Sequence, residues 1–216
     1  MMILYAYPLS NYCNKVAIVL ALKQVPHEVQ TPPDGYGSEA YKQLVPSGKI
    51  PGLADSDLIL SESEAINEYL NERFPEPNLL PGDAGQRARL RMLSRQHDLA
   101  VELPIRAMFR QVSPATRDPE AVKKHEAELQ KQLQVLAQLA DPQPFLGTPE
   151  ISLADAAYAP TLVLGRMVWE AVGLEWTLPD ALAPWQQTLL AHPTVAEVLA
   201  PARQAAEQWL SKKLAA

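Results

Sequence analysis

Apolar and polar positions follow two different rhythms along this chain, and the change falls near residue 76. "MILYAY", residues 2–7, is an apolar and aromatic run that stops at Pro8, as a buried strand does. From Asn11 to Lys23 the apolar residues Val16, Val19, Leu20 and Leu22 recur at helical spacing, giving a βα unit. "HEVQT" reads as a second short strand, "PPDGYG" as a loop, and "SEAYKQL" as a helical turn or two before Pro46. "GKIPGLADSDLILS" then reads as two strands joined by a tight turn around Asp55 to Asp57. "SESEAINEYLNERF" is an amphipathic helix with Ile66, Tyr69 and Leu70 inward, and Ser61 with Glu64 spells a capping box.

"PEPNLLPGDAG" breaks the rhythm with the composition of an interdomain connector. Beyond it every periodic segment is helical. Asp83 and Gln86 give a capping box that opens a segment running to about Val112, and Asp118-Pro119-Glu120 starts a helix that reaches about Leu139. "ISLADAAYAPTLVLGRMVWEAV" is nearly all apolar, which predicts the central buried helix of this half, with Ser152 and Asp155 capping its start. Two more helices are expected near Leu182–Ala191 and Val195–Leu214.

The expected fold class is α/β plus all-α: a βαβ-ββα domain over residues 1–76, a linker at 77–84, and an all-helical bundle over 85–216. The sheet is mixed, because a βαβ unit pairs in parallel and a hairpin cannot.

Composition narrows the function. A chain of 216 residues buries a core without disulfides, and its one cysteine fits a reducing compartment. A net charge of -6 without clustered Lys/Arg argues against nucleic acid as partner. "MMILYAYPLS" has no basic n-region, and no run approaches the roughly twenty apolar residues of a membrane span, so a cytoplasmic location is expected.

The chemistry concentrates in "YPLSNYCNKV", where the strand turns into a helix and Ser10-Asn11-Tyr12-Cys13 stands in the place of a C-x-x-C motif. With "GKIPGL", "LSESEAINEYL" and "SLADAAYAPTL" in this order, the N-terminal half resembles a thioredoxin-fold domain and the whole chain a cytosolic glutathione transferase. Ala6, not tyrosine, stands two residues before Pro8, while Tyr5 and Tyr7 should face the other side of the sheet. The chain is therefore similar to the serine-type, theta- and zeta-like members. The zeta-type signature reads Ser-Ser-Cys where this chain has Ser10-Asn11-Tyr12.

The resemblance implies glutathione as co-substrate, no metal, a hydrophobic electrophile as second substrate, and a homodimer built with the arginine-rich "QRARLRMLSRQ" helix. It implies a cis Ile50-Pro51 bond that leaves the Ile50 backbone free to pair with the cysteinyl part of glutathione. Ser63 would bind the γ-glutamyl carboxylate and Glu62 would position that end, although capping alone also explains this pair. Lys49 either covers the glycyl carboxylate, with the Gly35–Ser38 loop, or is a solvated lysine. Ser10 lacks a local base to make it a nucleophile, so it either donates to the incoming thiolate or merely caps its helix. Cys13 is either a packed thiol or a redox centre. The electrophile is expected against "PIRAMFRQV", where Met108 and Phe109 offer an apolar wall and Arg106 or Arg110 an anion contact.

Overall fold

The computed structural model describes residues 1–215. Strands β1 (Met2–Tyr5), β2 (His27–Gln30), β3 (Gly52–Asp55) and β4 (Leu58–Ser61) form one sheet in the order β2-β1-β3-β4. β1 runs parallel to β2 and antiparallel to β3, and β4 returns antiparallel on β3 through Ser56 and Asp57. The mixed four-stranded sheet expected from the sequence is the one observed.

Strand alternation divides β1 between two cores. Leu4 and Ala6 join Val16, Val19 and Leu20 of α1 (Asn11–Leu22) and Ile66 and Leu70 of α3 (Ser63–Arg73) in the main core. Tyr5 points the other way, onto Tyr41 of α2 (Glu39–Lys42) and Val45. Gly52, opposite Tyr5, has no room for a side chain: a Cβ there would lie 2.5 Å from the Tyr41 hydroxyl.

The remainder is helical. α4 (Ala84–Gln96), a π-helical turn (His97–Val101) and α5 (Glu102–Met108) form one continuous rod, followed by α6 (Pro119–Leu139). α7 (Leu153–Pro160) passes through a second π-helical turn (Thr161–Gly165) into α8 (Arg166–Ala171), and the buried apolar run of the sequence is this segment. α9 (Ala183–Ala191) and α10 (Pro193–Leu214) complete the described chain. No described helix is long and apolar enough to cross a membrane.

One expectation needs correction. Ser61 and Glu64 do not form a capping box. α3 starts after Glu62, whose φ of 71° places it in the left-handed region, and no side chain caps the helix. Glu64 instead turns inward, where Lys15 Nζ and Ser94 Oγ donate to it at 2.5 and 2.7 Å. A buried ammonium outbids a solvent-exposed cap, because an unpaired buried charge costs several kcal/mol and an unmade cap only about 1. Tyr69 packs half-buried against the main core, as expected, while its hydroxyl donates to Asp55 at 2.6 Å.

The proline-rich connector is exposed for most of its length and anchored to the interior at two residues. Leu79 and Leu80 are buried, the Leu79 amide donates to Asn71 Oδ1 at 2.8 Å, and its carbonyl accepts from Leu153 at the start of α7. α1 packs directly on α7 and α10, so both halves share one continuous core.

Candidate active site

A cleft of about 850 Å³ opens where the C-terminal edge of β1 meets α5 and α10. One wall is sheet-derived: Ser10, Lys49, Ile50, Pro51, Glu62 and Ser63 all line it. The fold thus brings these six residues to one cleft, while of the Gly35–Ser38 loop only Tyr36 lines it.

Ser10 is the N-cap of α1, and its Oγ accepts from the Cys13 amide at 3.3 Å. That uses a lone pair and leaves the hydroxyl proton free to donate into the cleft. The positive end of α1 points the same way. The turn leading to Ser10 is held by the Ser10 amide on the Tyr7 carbonyl at 3.0 Å and by Asn14 Nδ2 on the Pro8 carbonyl at 2.7 Å.

Cys13 is buried, with its thiol pushed up to about 11 by desolvation, against the opposing pull of Ser10 and of the Tyr7 backbone. At neutral pH it is a protonated packing thiol, since reactive cysteines have lowered values and access to solvent.

The Ile50-Pro51 peptide is cis. Among the described residues the Ile50 backbone makes no backbone hydrogen bond, and it borders the cleft just before β3 begins. The Lys49 carbonyl accepts from Tyr41 Oη at 3.0 Å, while Lys49 Nζ lies 3.4 Å from Glu62 Oε1. Both side chains of that pair are largely exposed, so it contributes little on its own. Ser63, at the first position of α3, is buried and borders the cleft.

The floor of the cleft is backed by a buried polar network that the sequence did not reveal, with Asn11, Glu64, Asp98 and Glu102 bordering the cleft itself. Lys15 is fully buried in α1 and pairs with Glu64 of α3 and with Asp98 of the π-helical turn, at 3.1 Å from both Asp98 oxygens. Asp98 also meets His97 Nδ1 at 2.9 Å, and His97 Nε2 meets Thr161 Oγ1 at 2.9 Å. Thr161 and Asn11 both donate to Glu102. Burial alone would raise the Asp98 carboxyl, but the His97 bond and the Lys15 charge outweigh it and hold it below the usual carboxylate range.

The second wall is apolar and aromatic. Leu99, Phe109 and Trp209 line it, and the Phe109 and Trp209 rings lie 5.2 Å apart. Tyr12 sits between the two walls, and the Arg106 guanidinium lies 5.4 Å above its ring. Met108, expected in this wall, is instead fully buried in the core, and Arg110 lies outside the cleft. A helix shows one face to any cleft, and here it is the face of Glu102, Arg106 and Phe109. Among the described residues no group of His, Cys, Asp and Glu is placed to hold a metal ion.

Residues 4–78 match the family described as glutathione S-transferase, N-terminal domain. A stringent starvation protein A homolog from Pasteurella multocida is 35% identical over 163 residues, covering 74% of this chain and 73% of its own length. This chain belongs to the glutathione S-transferase family. A Pseudomonas putida glutathione S-transferase is 29% identical over 190 residues, covering 87% of this chain and 83% of the relative. The crystal structure of human glutathione transferase theta-2, in complex with glutathione and an unknown ligand, superposes with a TM-score of 0.83. That match covers 99% of this chain and 92% of the human one at 24% identity, so it speaks for the fold. Members of this family bind glutathione, and the sheet-derived wall is the part of this chain that falls inside the matched residues.

Proposed function

We propose that this protein is a glutathione transferase that ionises the thiol of bound glutathione and directs it at a hydrophobic electrophile. The observation that carries this reading is the convergence of Ser10, the unpaired Ile50 backbone and the Glu62-Ser63 helix start on one wall of one cleft. In this reading Ile50 pairs with the cysteinyl backbone as a strand edge takes up a peptide, and Ser63 holds the γ-glutamyl carboxylate at the start of α3. Glu62 orients the ammonium end and Lys49 faces the glycyl carboxylate.

Ser10 donates to the thiolate sulfur, and the N-terminal end of α1 adds positive potential. Both favour the charged form and lower the thiol pKa. The thiol proton goes to solvent. With an aryl chloride the thiolate then attacks the ring carbon that bears chlorine: the C–S bond forms, the C–Cl bond breaks, and chloride leaves with the bonding pair. A cytoplasmic homodimer belongs to the same reading. α4 supports it by presenting Met92, 42% exposed, among its arginines.

Retention on immobilised glutathione, followed by turnover of 1-chloro-2,4-dinitrobenzene, tests the reading. Retention with turnover is expected. A second reading, a regulatory protein on the same fold, is favoured by relatives whose name refers to stringent starvation and not to conjugation. Failure of retention, with no turnover above the uncatalysed rate, would decide for it.

A further inference from the structure

Charge is unevenly satisfied around the cleft. Lys49 pairs with Glu62, Lys15 with Glu64 and Asp98, and Arg95 reaches Asp98 at 3.5 Å. Glu102 is buried, and its oxygens are occupied by Asn11 and Thr161. Arg106 differs from the other cleft cations. It is exposed, and among the described residues no carboxylate oxygen lies within 4 Å of its guanidinium. Its guanidinium carbon lies 5.4 Å from the centroid of the Tyr12 ring, within reach of a cation–π contact.

That contact pre-orients a planar fork of donors at the mouth of the second wall. One turn further along the same rod stands Phe109, and Trp209 of α10 closes against it at 44° between ring planes. The two rings form a half-buried angled seat for a flat group, with an unneutralised guanidinium beside it.

We propose that this half of the cleft selects a planar aromatic electrophile bearing a carboxylate, with Phe109 and Trp209 seating the ring and Arg106 binding the carboxylate. The proposal rests on the transferase reading for the word electrophile, and on the geometry alone for the ligand class. Guanidinium and carboxylate match as a bidentate pair, whose two parallel hydrogen bonds fix the orientation of the ring seated beside them.

Two matched pairs of compounds test it. 4-Chloro-3-nitrobenzoate and 4-chloro-3-nitrobenzamide carry the same leaving group and differ in charge. 3-Nitrobenzoate and 3-nitrobenzamide are their unreactive counterparts. In wild-type protein the benzoates are preferred, and Arg106→Gln lowers kcat/KM for the chlorobenzoate and calorimetric affinity for 3-nitrobenzoate by about tenfold each. Both amides change by less than about twofold, as does everything in Arg110→Gln, whose arginine lies outside the cleft. Equal losses for acid and amide, or no loss for 3-nitrobenzoate, overturn the assignment of Arg106. If wild type conjugates neither chloride yet Arg106→Gln still weakens 3-nitrobenzoate alone, the transferase reading has failed and the anion site stands.

Discussion

One oxygen of Ser10 serves both the fold and the proposed chemistry, which makes the two separable by measurement. As N-cap it accepts from the Cys13 amide, and as thiolate donor it offers its proton to the cleft. Ser10→Ala is expected to lose about 1 kcal/mol of cap energy, seen as a fall of roughly 2–4 °C in Tm. Turnover of 1-chloro-2,4-dinitrobenzene should fall much further, about a hundredfold, with glutathione affinity within about threefold of wild type. A drop in turnover no larger than the stability loss explains would reduce Ser10 to a cap. Glu62 poses the opposite case. Its φ of 71° is held against its side chain's preference, directly before the helix start that faces the cleft. Glu62→Gly should therefore raise unfolding free energy by about 1 kcal/mol, measured in urea, while weakening retention on immobilised glutathione.

Helix starts show what local sequence does and does not specify. The S-x-x-D motif at Ser152 is realised as read: Ser152 Oγ accepts from the Asp155 amide, and the Asp155 carboxylate accepts from the Ser152 amide at 2.9 Å. The carboxylate also takes the Leu146 amide and Trp185 Nε1, at 2.9 and 2.8 Å, and so ties a loop and α9 to the start of α7. Asp155→Ala strands these buried donors, and a loss of 3 kcal/mol or more is expected in denaturant unfolding. Ser152→Ala, which removes one partner, should cost about 1–2 kcal/mol. The S-x-x-E motif at Ser61 has the same local signal and fails, because Lys15, forty-nine residues earlier, claims Glu64. Capping boxes are legible in sequence only where no distant charge competes for the carboxylate. The helix, strand and hairpin periodicities were legible because they are set by neighbours a few positions apart. Of the second wall, Phe109 and Arg106 were legible as one helix stretch, but Leu99 and Trp209 were not, because Trp209 reaches Phe109 only through tertiary packing that brings α10 beside the cleft.

At the scale of the whole molecule, the Lys15 network clamps α1, and with it Ser10, to the helical half. Lys15 reaches α3 and the π-helical turn, while Asn11 reaches Glu102 of α5 and Thr161 after α7. A buried ion cluster of this kind adds little net stability when intact, but removing one member leaves charge without a partner. Asp98→Asn should therefore cost about 3 kcal/mol at pH 7. The same residue sets an acid limit. Because the folded carboxyl titrates below its unfolded counterpart, the stability it confers is fully present above the ordinary aspartate pKa of about 3.9 and is lost as pH falls below it. The unfolding free energies of wild type and Asp98→Asn are then expected to differ by a constant amount from pH 7 to about pH 5 and to draw together as pH falls below about 4. Urea titrations at four or five pH values measure this directly. A difference that persists unchanged at pH 3 would mean that the asparagine costs stability by shape and not by charge, and that Lys15 is held by Glu64 alone.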